Sequence, residues 1–272
     1  MIDHIARVRE HYSAIDLVNR ITSALTTVVP DAQVLTVDEL APLDQFHIRG
    51  MLATAELASA AGVEPSIRVL DVGCGIGGPA RSVADTFGCK VTGVDLSPAF
   101  IEAAIYLTTR SGLSDRVTFQ VGNALHLPFE DAAFDVVLLQ HVAMNIADRA
   151  ALYTEVHRVL TPGGRFATHD LVLGDGDVMY PVPWARDAST SFLLSERDTR
   201  VTLEQGGFTP IFWRDDSKIA ADWFKTTMTG SPQNGLSLGV VMGPDFREMA
   251  GNLARNLREK RLGLLSAVLK RD

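Results

Sequence analysis

Five short apolar runs, separated by helical stretches, constrain the fold of this chain more than any other feature. IRVLDVG (67–73), CKVTGVDL (89–96), RVTFQVGNA (116–124), FDVVLLQHV (134–142) and GRFATHDLVL (164–173) each read as a buried strand. Helical stretches near 78–87, 98–111 and 149–160 lie between them. Strands alternating with helices predict a parallel sheet covered on both faces. TPIFWRDD (209–216) and LGLLSAVLKR (262–271) read as two late strands, an antiparallel pair at one edge. The expected sheet therefore has seven strands and is mostly parallel.

The flanking segments read differently. Ile5, Val8, Tyr12, Ile15, Val18, Ile21 and Leu25 recur at steps of three and four, which predicts an amphipathic helix over 3–28, ended before Pro30. A second helix is expected over 46–61, stopped at Gly62, and the two form an N-terminal helical cap. GDGDVMYPVPWARDASTSF, opening the stretch 174–200, is rich in turn formers and aromatics and reads as a lid loop. A second irregular stretch covers 228–246. The chain is expected to be one domain over 1–272: cap 1–62, core 63–173, lid with sixth strand and insert 174–246, last helix and strand 247–272.

Composition narrows the partners. A formal net charge of −8 disfavours a nucleic acid. Cys74 and Cys89 make neither a disulfide framework nor a metal site, so no metal is expected, and two free thiols suit a reducing cytoplasm. No apolar run approaches about 18 residues, so no membrane is expected. MIDHIARVREHY lacks the apolar stretch of a signal peptide.

DVGCGIGGPAR (71–81) is a formal match to G-x-G-x-x-G through Gly73, Gly75 and Gly78. A glycine turn between strand and helix can cradle a dinucleotide or another nucleotide. In an open parallel sheet, ligands bind beyond the carboxyl ends of the strands. Asp71 to Gly77, Asp95, Asn123 and Gln140 all fall there, at four successive strand ends. Asp95 can accept from both hydroxyls of a ribose, which dinucleotides and S-adenosylmethionine share. Asp71 discriminates better: a carboxylate at the mouth of the loop repels a pyrophosphate and suits an ammonium. Glycines at 73, 75 and 77 let backbone approach an uncharged thioether chain. The Asn123 oxygen can accept from an adenine amino group, with the N–H of Ala124 or Leu125 donating to the ring.

VLDVGCGIGGPAR, VTGVDLS, NALHLPFEDAAFDVV and RVLTPGGRF resemble the successive motifs of class I S-adenosylmethionine-dependent methyltransferases, continuously over about 65–172. The nearest flavour is the group of ubiquinone and menaquinone C-methyltransferases, sarcosine and dimethylglycine N-methyltransferases, and the sugar O-methyltransferase of rebeccamycin biosynthesis. The resemblance implies an α/β, Rossmann-like fold, S-adenosylmethionine as cofactor with S-adenosylhomocysteine as product, and a small-molecule acceptor at oxygen, nitrogen or carbon. It implies cofactor contacts at Asp71, Gly73, Gly75, Gly77, Asp95, Leu96, Asn123, Ala124 and Gln140. The family usually has aspartate where this chain has Asn123.

Methyl transfer from a sulfonium is an in-line displacement, so proximity can supply about 7–11 kcal/mol, and a base is needed only if the acceptor loses a proton. His141, in QHVAMNIADR, is the first candidate for base or acceptor-positioning residue; its alternative is packing against the cofactor. The sugar O-methyltransferases carry a histidine pair where this chain has Met144 and Asn145. Met144 can then touch the acceptor and Asn145 orient it. Asp170 falls where those relatives carry an aspartate and is a candidate base, or else a loop cap; His169 is expected to be structural. In the cap, Tyr12 and Gln45 are candidates for the cofactor, and His47 and Arg49 for the acceptor. Tyr180 and Trp184 can wall the acceptor, cover a core edge or make a homodimer contact. Two alternatives stand beside methyl transfer: a cyclase or lyase using the same sulfonium, and an NAD-linked oxidoreductase.

Overall fold

The structure, a computed structural model, describes residues 6–8, 16–28, 33–227 and 236–272. Its seven strands are β1 (Arg68–Val72), β2 (Lys90–Asp95), β3 (Val117–Val121), β4 (Phe134–Gln140), β5 (Leu160–Leu173), β6 (Phe208–Asp215) and β7 (Leu262–Arg271), in the sheet order β3-β2-β1-β4-β5-β7-β6. The first five run parallel, and β7 lies antiparallel between β5 and β6. The inner strands are apolar throughout because both faces are covered. Val69, Val91 and Leu138 meet Leu57, Ala80 and Val83 on one face. Val137, Leu139 and Phe166 meet Leu152, Tyr153 and Leu203 on the other.

Among the described residues the helices are α1 (Leu17–Thr26), α2 (Val37–Asp44), α3 (Gly50–Ala60), α4 (Gly78–Phe87), α5 (Pro98–Arg110), α6 (Arg149–Val159), α7 (Glu196–Gln205), α8 (Ser217–Thr227), α9 (Gly239–Met242) and α10 (Phe246–Arg258). Their starts follow capping chemistry. Thr36 and Glu39 form a capping box on α2. Ser97 caps α5 with Pro98 in the first turn, and Ser195 caps α7.

Several expectations need correction. Of the first cap helix the structure describes residues 6–8 as helical and Leu17–Thr26, which starts after Asp16 at φ +63°; 1–5 and 9–15 lie outside the described residues. The second starts at Gly50 rather than at 46, and α2 precedes it unannounced, with Pro42 inside it. The late strands do form an antiparallel edge pair, but α8 to α10 intervene, so they are not a hairpin. The middle of the 174–200 stretch is packed rather than open: Val182, Trp184 and Ala185 are at most 1% exposed and join Ile48, Met144 and Leu171 in one apolar cluster. Burying an indole and its neighbours fixes that segment in place.

Candidate active site

Because β1, β2, β3 and β4 are parallel, their carboxyl ends share one edge, and a cavity of about 540 Å³ opens there. Gly73 to Gly75, Asp95 and Leu96, Asn123 and Ala124, and Gln140 to Val142 line it from the four strands. Phe46 and His47 come from the cap, Pro183 and Trp184 from the packed loop, and Met242, Phe246 and Leu253 from the C-terminal helices.

The loop after β1 is held by β2. Gly73 and Cys74 both donate to the carbonyl of Val94, at 2.8 and 3.1 Å. The Asp95 carboxylate accepts from the backbone N–H of Gly75 at 3.0 Å and of Ser97 at 2.9 Å. Gly73 has φ +72°, and a Cβ there would come within 2.3 Å of Val142, so only glycine lets the loop pass the start of the β4 loop. Gly77 differs from the expectation: its Cβ would strike Phe119 at 2.5 Å, so this glycine serves the packing of α4 behind the loop.

Asp71 is 2% exposed and sits one residue behind the wall that Val72 and Gly73 form. One of its oxygens has no partner. Burial, with the Asp95 charge beside it, pushes its pKa up to about 7. Burial likewise pushes Asp95 up to about 6, against the backbone donors of Ser97, Gly75 and Leu96. The ionised carboxylate is the form that accepts from two ribose hydroxyls. Affinity for S-adenosylhomocysteine is therefore expected to be highest well above pH 6 and to fall as pH drops through about 6 and Asp95 gains its proton. Calorimetry from pH 5 to 8 checks this, and a flat profile contradicts it.

Asn123 accepts from the Leu125 N–H at 2.9 Å, so that donor is not aimed at a ligand; the oxygen keeps its second lone pair. Gln140 is oriented through a chain of hydrogen bonds. The Gly50 carbonyl, 2.8 Å from His47 Nε2, can only accept, so that nitrogen carries the hydrogen. Thr54 Oγ1, 2.9 Å from the same nitrogen, then turns its own hydrogen to Gln140 Oε1 at 3.1 Å. The Gln140 amide therefore presents its NH2, buried and unpartnered, toward the cavity.

His141 follows at φ +53°, a strained conformation for a residue with a side chain, with its Nε2 buried and unpartnered. Burial first, then His169 and His47, hold its pKa well below the usual imidazole range, so the ring is neutral at pH 7. The three rings lie close: His47 to His141 6.2 Å, His47 to His169 5.9 Å, and His141 stacked on His169 at 5.6 Å and 17°.

Other candidates are placed elsewhere. Asp170 accepts from the N–H of Ala143 at 2.7 Å, Leu171 at 2.9 Å and Val142 at 3.3 Å, so it props the loop that carries His141 and is not a base in the cavity. Asp170→Ala leaves these buried donors unmet and is expected to cost about 1–3 kcal/mol in urea unfolding; a loss under about 0.5 kcal/mol would show that the loop is held otherwise. Asn145 lines the cavity, but its amide donates to the carbonyls of Trp184 at 2.9 Å and Thr190 at 3.2 Å, stapling the packed loop to the β4 loop. Arg49 pairs with Glu56 at 2.5 Å and lines a second cavity of about 420 Å³ with Arg214, away from the first. Gln45 donates to Asp44 at 3.0 Å. Tyr180 packs in the apolar cluster behind Trp184. Met144 and Trp184 do line the cavity. Tyr12 lies outside the described residues.

Sequence reasoning missed Arg81 and Asp44. Arg81 is fully buried and donates to Asp44 at 2.8 Å, the Ile76 carbonyl at 2.9 Å, Thr108 at 3.0 Å and the Ala104 carbonyl at 3.3 Å. The pair ties cap helix α2 to α4 and α5. The sole signal was an arginine amid the small residues that open α4.

A glycine loop pinned by a β2 aspartate, over a sheet with a reversed last strand, defines the class I fold of S-adenosylmethionine-dependent methyltransferases. Residues 70–168 match the family model described as "Methyltransferase domain". The geranyl diphosphate C-methyltransferase of Streptomyces coelicolor A3(2) superimposes with a TM-score of 0.71 at 18% identity, covering 99% of this chain and 98% of that one. A structure titled [4+2]-cyclase SpnF gives 0.69 at 22% identity, covering 98% and 96%. The sterol 24-C-methyltransferase of Saccharomyces cerevisiae is 38% identical over 119 residues, 44% of this chain and 31% of that protein. Squalene methyltransferase 1 of Botryococcus braunii is 38% identical over 122 residues, 45% and 32%. The chain thus spans about a third of the length of these curated relatives.

The cavity suits the cofactor this class uses. Asp95 offers a carboxylate at the ribose position, Gly73 and Gly75 leave a wall without side chains, and the unpartnered Asp71 oxygen and Gln140 amide await polar partners. Among the described residues no cluster fits a metal ion, and no helix is long and apolar enough to cross a membrane.

Proposed function

We propose that the chain transfers a methyl group from S-adenosylmethionine to a small, largely apolar molecule. One observation carries this reading: Asp95, the Gly73–Gly75 wall, Asn123 and the Gln140–His141 pair converge from four strand ends on a single cavity. When bound, the cofactor would supply an activated methyl on a sulfonium. The chain's own residues hold the ribose at Asp95, present a donor at Gln140 and offer a neutral imidazole at His141. Phe46, Met144, Trp184, Met242 and Phe246 give the rest of the wall an apolar character suited to an acceptor kindred to the sterol, squalene and geranyl compounds in the relatives' names.

Calorimetric titration with S-adenosylmethionine and S-adenosylhomocysteine tests the reading, with NADH as control. Binding of the first two and not the third is expected; absence of both sinks it. A second reading is favoured by the likeness to a protein named as a cyclase. Mass spectrometry separates them: S-adenosylhomocysteine with a product one CH2 heavier means transfer, a product isomeric with its substrate and no cofactor consumed means a [4+2] cyclisation, and methylthioadenosine means reaction of the aminobutyrate arm. The acidic balance disfavours a nucleic acid as partner. Two buried free cysteines support a reducing compartment such as the cytoplasm, and sedimentation tests the homodimer.

A further inference from the structure

Behind the cavity, three polar contacts in series are one hydrogen short. Nδ1 of His169 on β5 lies 2.7 Å from Ser266 Oγ on β7. Ser266 Oγ lies 2.5 Å from Asp216 Oδ2. The other ring nitrogen, Nε2, lies 3.1 Å from the Ile48 carbonyl oxygen. The carbonyl and the carboxylate can only accept. Three contacts need three hydrogens, and a neutral imidazole with one hydroxyl supplies two.

The geometry says where the gap lies. An O···O distance of 2.5 Å is that of a charge-assisted bond to a carboxylate, so the Ser266 hydrogen points to Asp216. Arg214 sets its guanidinium 2.6 Å from the same carboxylate. Ser266 then accepts from Nδ1–H, and Nε2 keeps a lone pair against the Ile48 carbonyl. The groups around the ring are His47 before α3, His141 after β4, Asp216 after β6, and the cations Arg49 and Arg214. Burial dominates and holds His169 neutral at pH 7, pushing it down to about 4, while the Ile48 carbonyl and Asp216 pull it back up. His47 is pushed further, to about 3, and His141 stays well below its usual range, so His169 is the easiest of the three rings to charge.

We propose that His169, backed by Ser266 and Asp216, is a second proton acceptor behind His141, and that the methyl acceptor belongs to the class that gives up a proton: a hydroxyl, a primary or secondary amine, or an alkene. The reaction in this inference rests on the methyl-transfer reading above; the geometry does not. In the step, the acceptor atom bonds to the methyl carbon, and the methyl–sulfur bond breaks with its electron pair kept on sulfur. The acceptor's proton leaves to His141 Nε2. It then crosses the stack, through a water or a rotation of the His141 ring, to His169 Nε2, where it completes the third contact. His141 returns neutral. A tertiary amine or a thioether has no such proton and would leave the string idle.

Nitrogen NMR of the imidazole side chains in the full, unliganded chain tests this. A His169 with a merely structural role would put its hydrogen on Nε2, donate to Ile48 and accept from Ser266, with every hydrogen placed. The proposal requires hydrogen on Nδ1 at pH 7. Ser266→Ala is expected to move it to Nε2, and Ser266→Thr to restore Nδ1. On acidification His169 should gain its second proton before His47 and His141, and Asp216→Asn should lower that midpoint. Hydrogen on Nε2 in the wild type, or no change in Ser266→Ala, overturns the proposal. If Ser266→Ala does not fold, the wild-type tautomer decides alone. Failure of the methyl-transfer reading looks different: no S-adenosylhomocysteine binding with the His169 tautomer unchanged.

Discussion

Arg81→Ala is expected to destabilise the chain by about 3–5 kcal/mol, because it leaves the Asp44 carboxylate buried without its cation. The guanidinium also satisfies the Ile76 and Ala104 carbonyls and Thr108, so the loss spreads to three elements. Burial raises the Asp44 pKa even with Arg81 present, which opposes it. A carboxyl whose folded pKa lies above its unfolded one binds its proton more tightly when folded. Its stability contribution is thus present at low pH and lost as pH rises. The cost of Arg81→Ala should accordingly shrink in acid, where Asp44 carries its own proton. Urea unfolding at neutral and acid pH measures both. In Asp44→Asn with Arg81→Met, the total should be well below the sum of the single changes. A single-variant cost under about 1 kcal/mol would show that the cap is held by its apolar contacts with α5 and α9 alone.

Asp95→Ala is expected to weaken S-adenosylhomocysteine binding by about 100-fold or more. A hydrogen bond to a charged group contributes about 1.5–3 kcal/mol, and Asp95 is placed to accept two from a ribose. The same carboxylate fixes the Gly75 N–H, so the variant also loosens the glycine wall. Asp95→Asn separates the effects: it keeps one acceptor oxygen for Gly75 and loses the charge. Calorimetry reads the affinity, and thermal unfolding shows whether the fold survives. Affinity within threefold of the wild type would place the ribose elsewhere.

The glycine loop, Asp95, Asn123 and the Gln140–His141 pair were legible because each lies at the end of an apolar run. Strand ends in a parallel sheet share one edge, so local pattern alone brings them together. Helix α7 was not legible; Glu196–Gln205 is mostly polar, so the preceding turn formers dominated. Asp170 was misread because its place on β5 suits a base equally well. Only the return of the β4 loop shows that its oxygens are taken by backbone N–H groups. Arg49 was aimed at a ligand since an arginine near a pocket has that chemistry, but Glu56, two turns along the same helix, claims it.

The sequence by itself determined the sheet, its glycine turn and the side on which the cofactor cavity opens. These follow from hydrophobic periodicity and turn chemistry, which act over a few residues. The tertiary structure alone decided which polar groups find partners. His47, His141 and His169 meet from three separate segments, and Arg81 finds Asp44 37 residues away. Burial makes each such meeting costly unless hydrogens and charges balance, and that balance depends on how cap, sheet and packed loop close on one another.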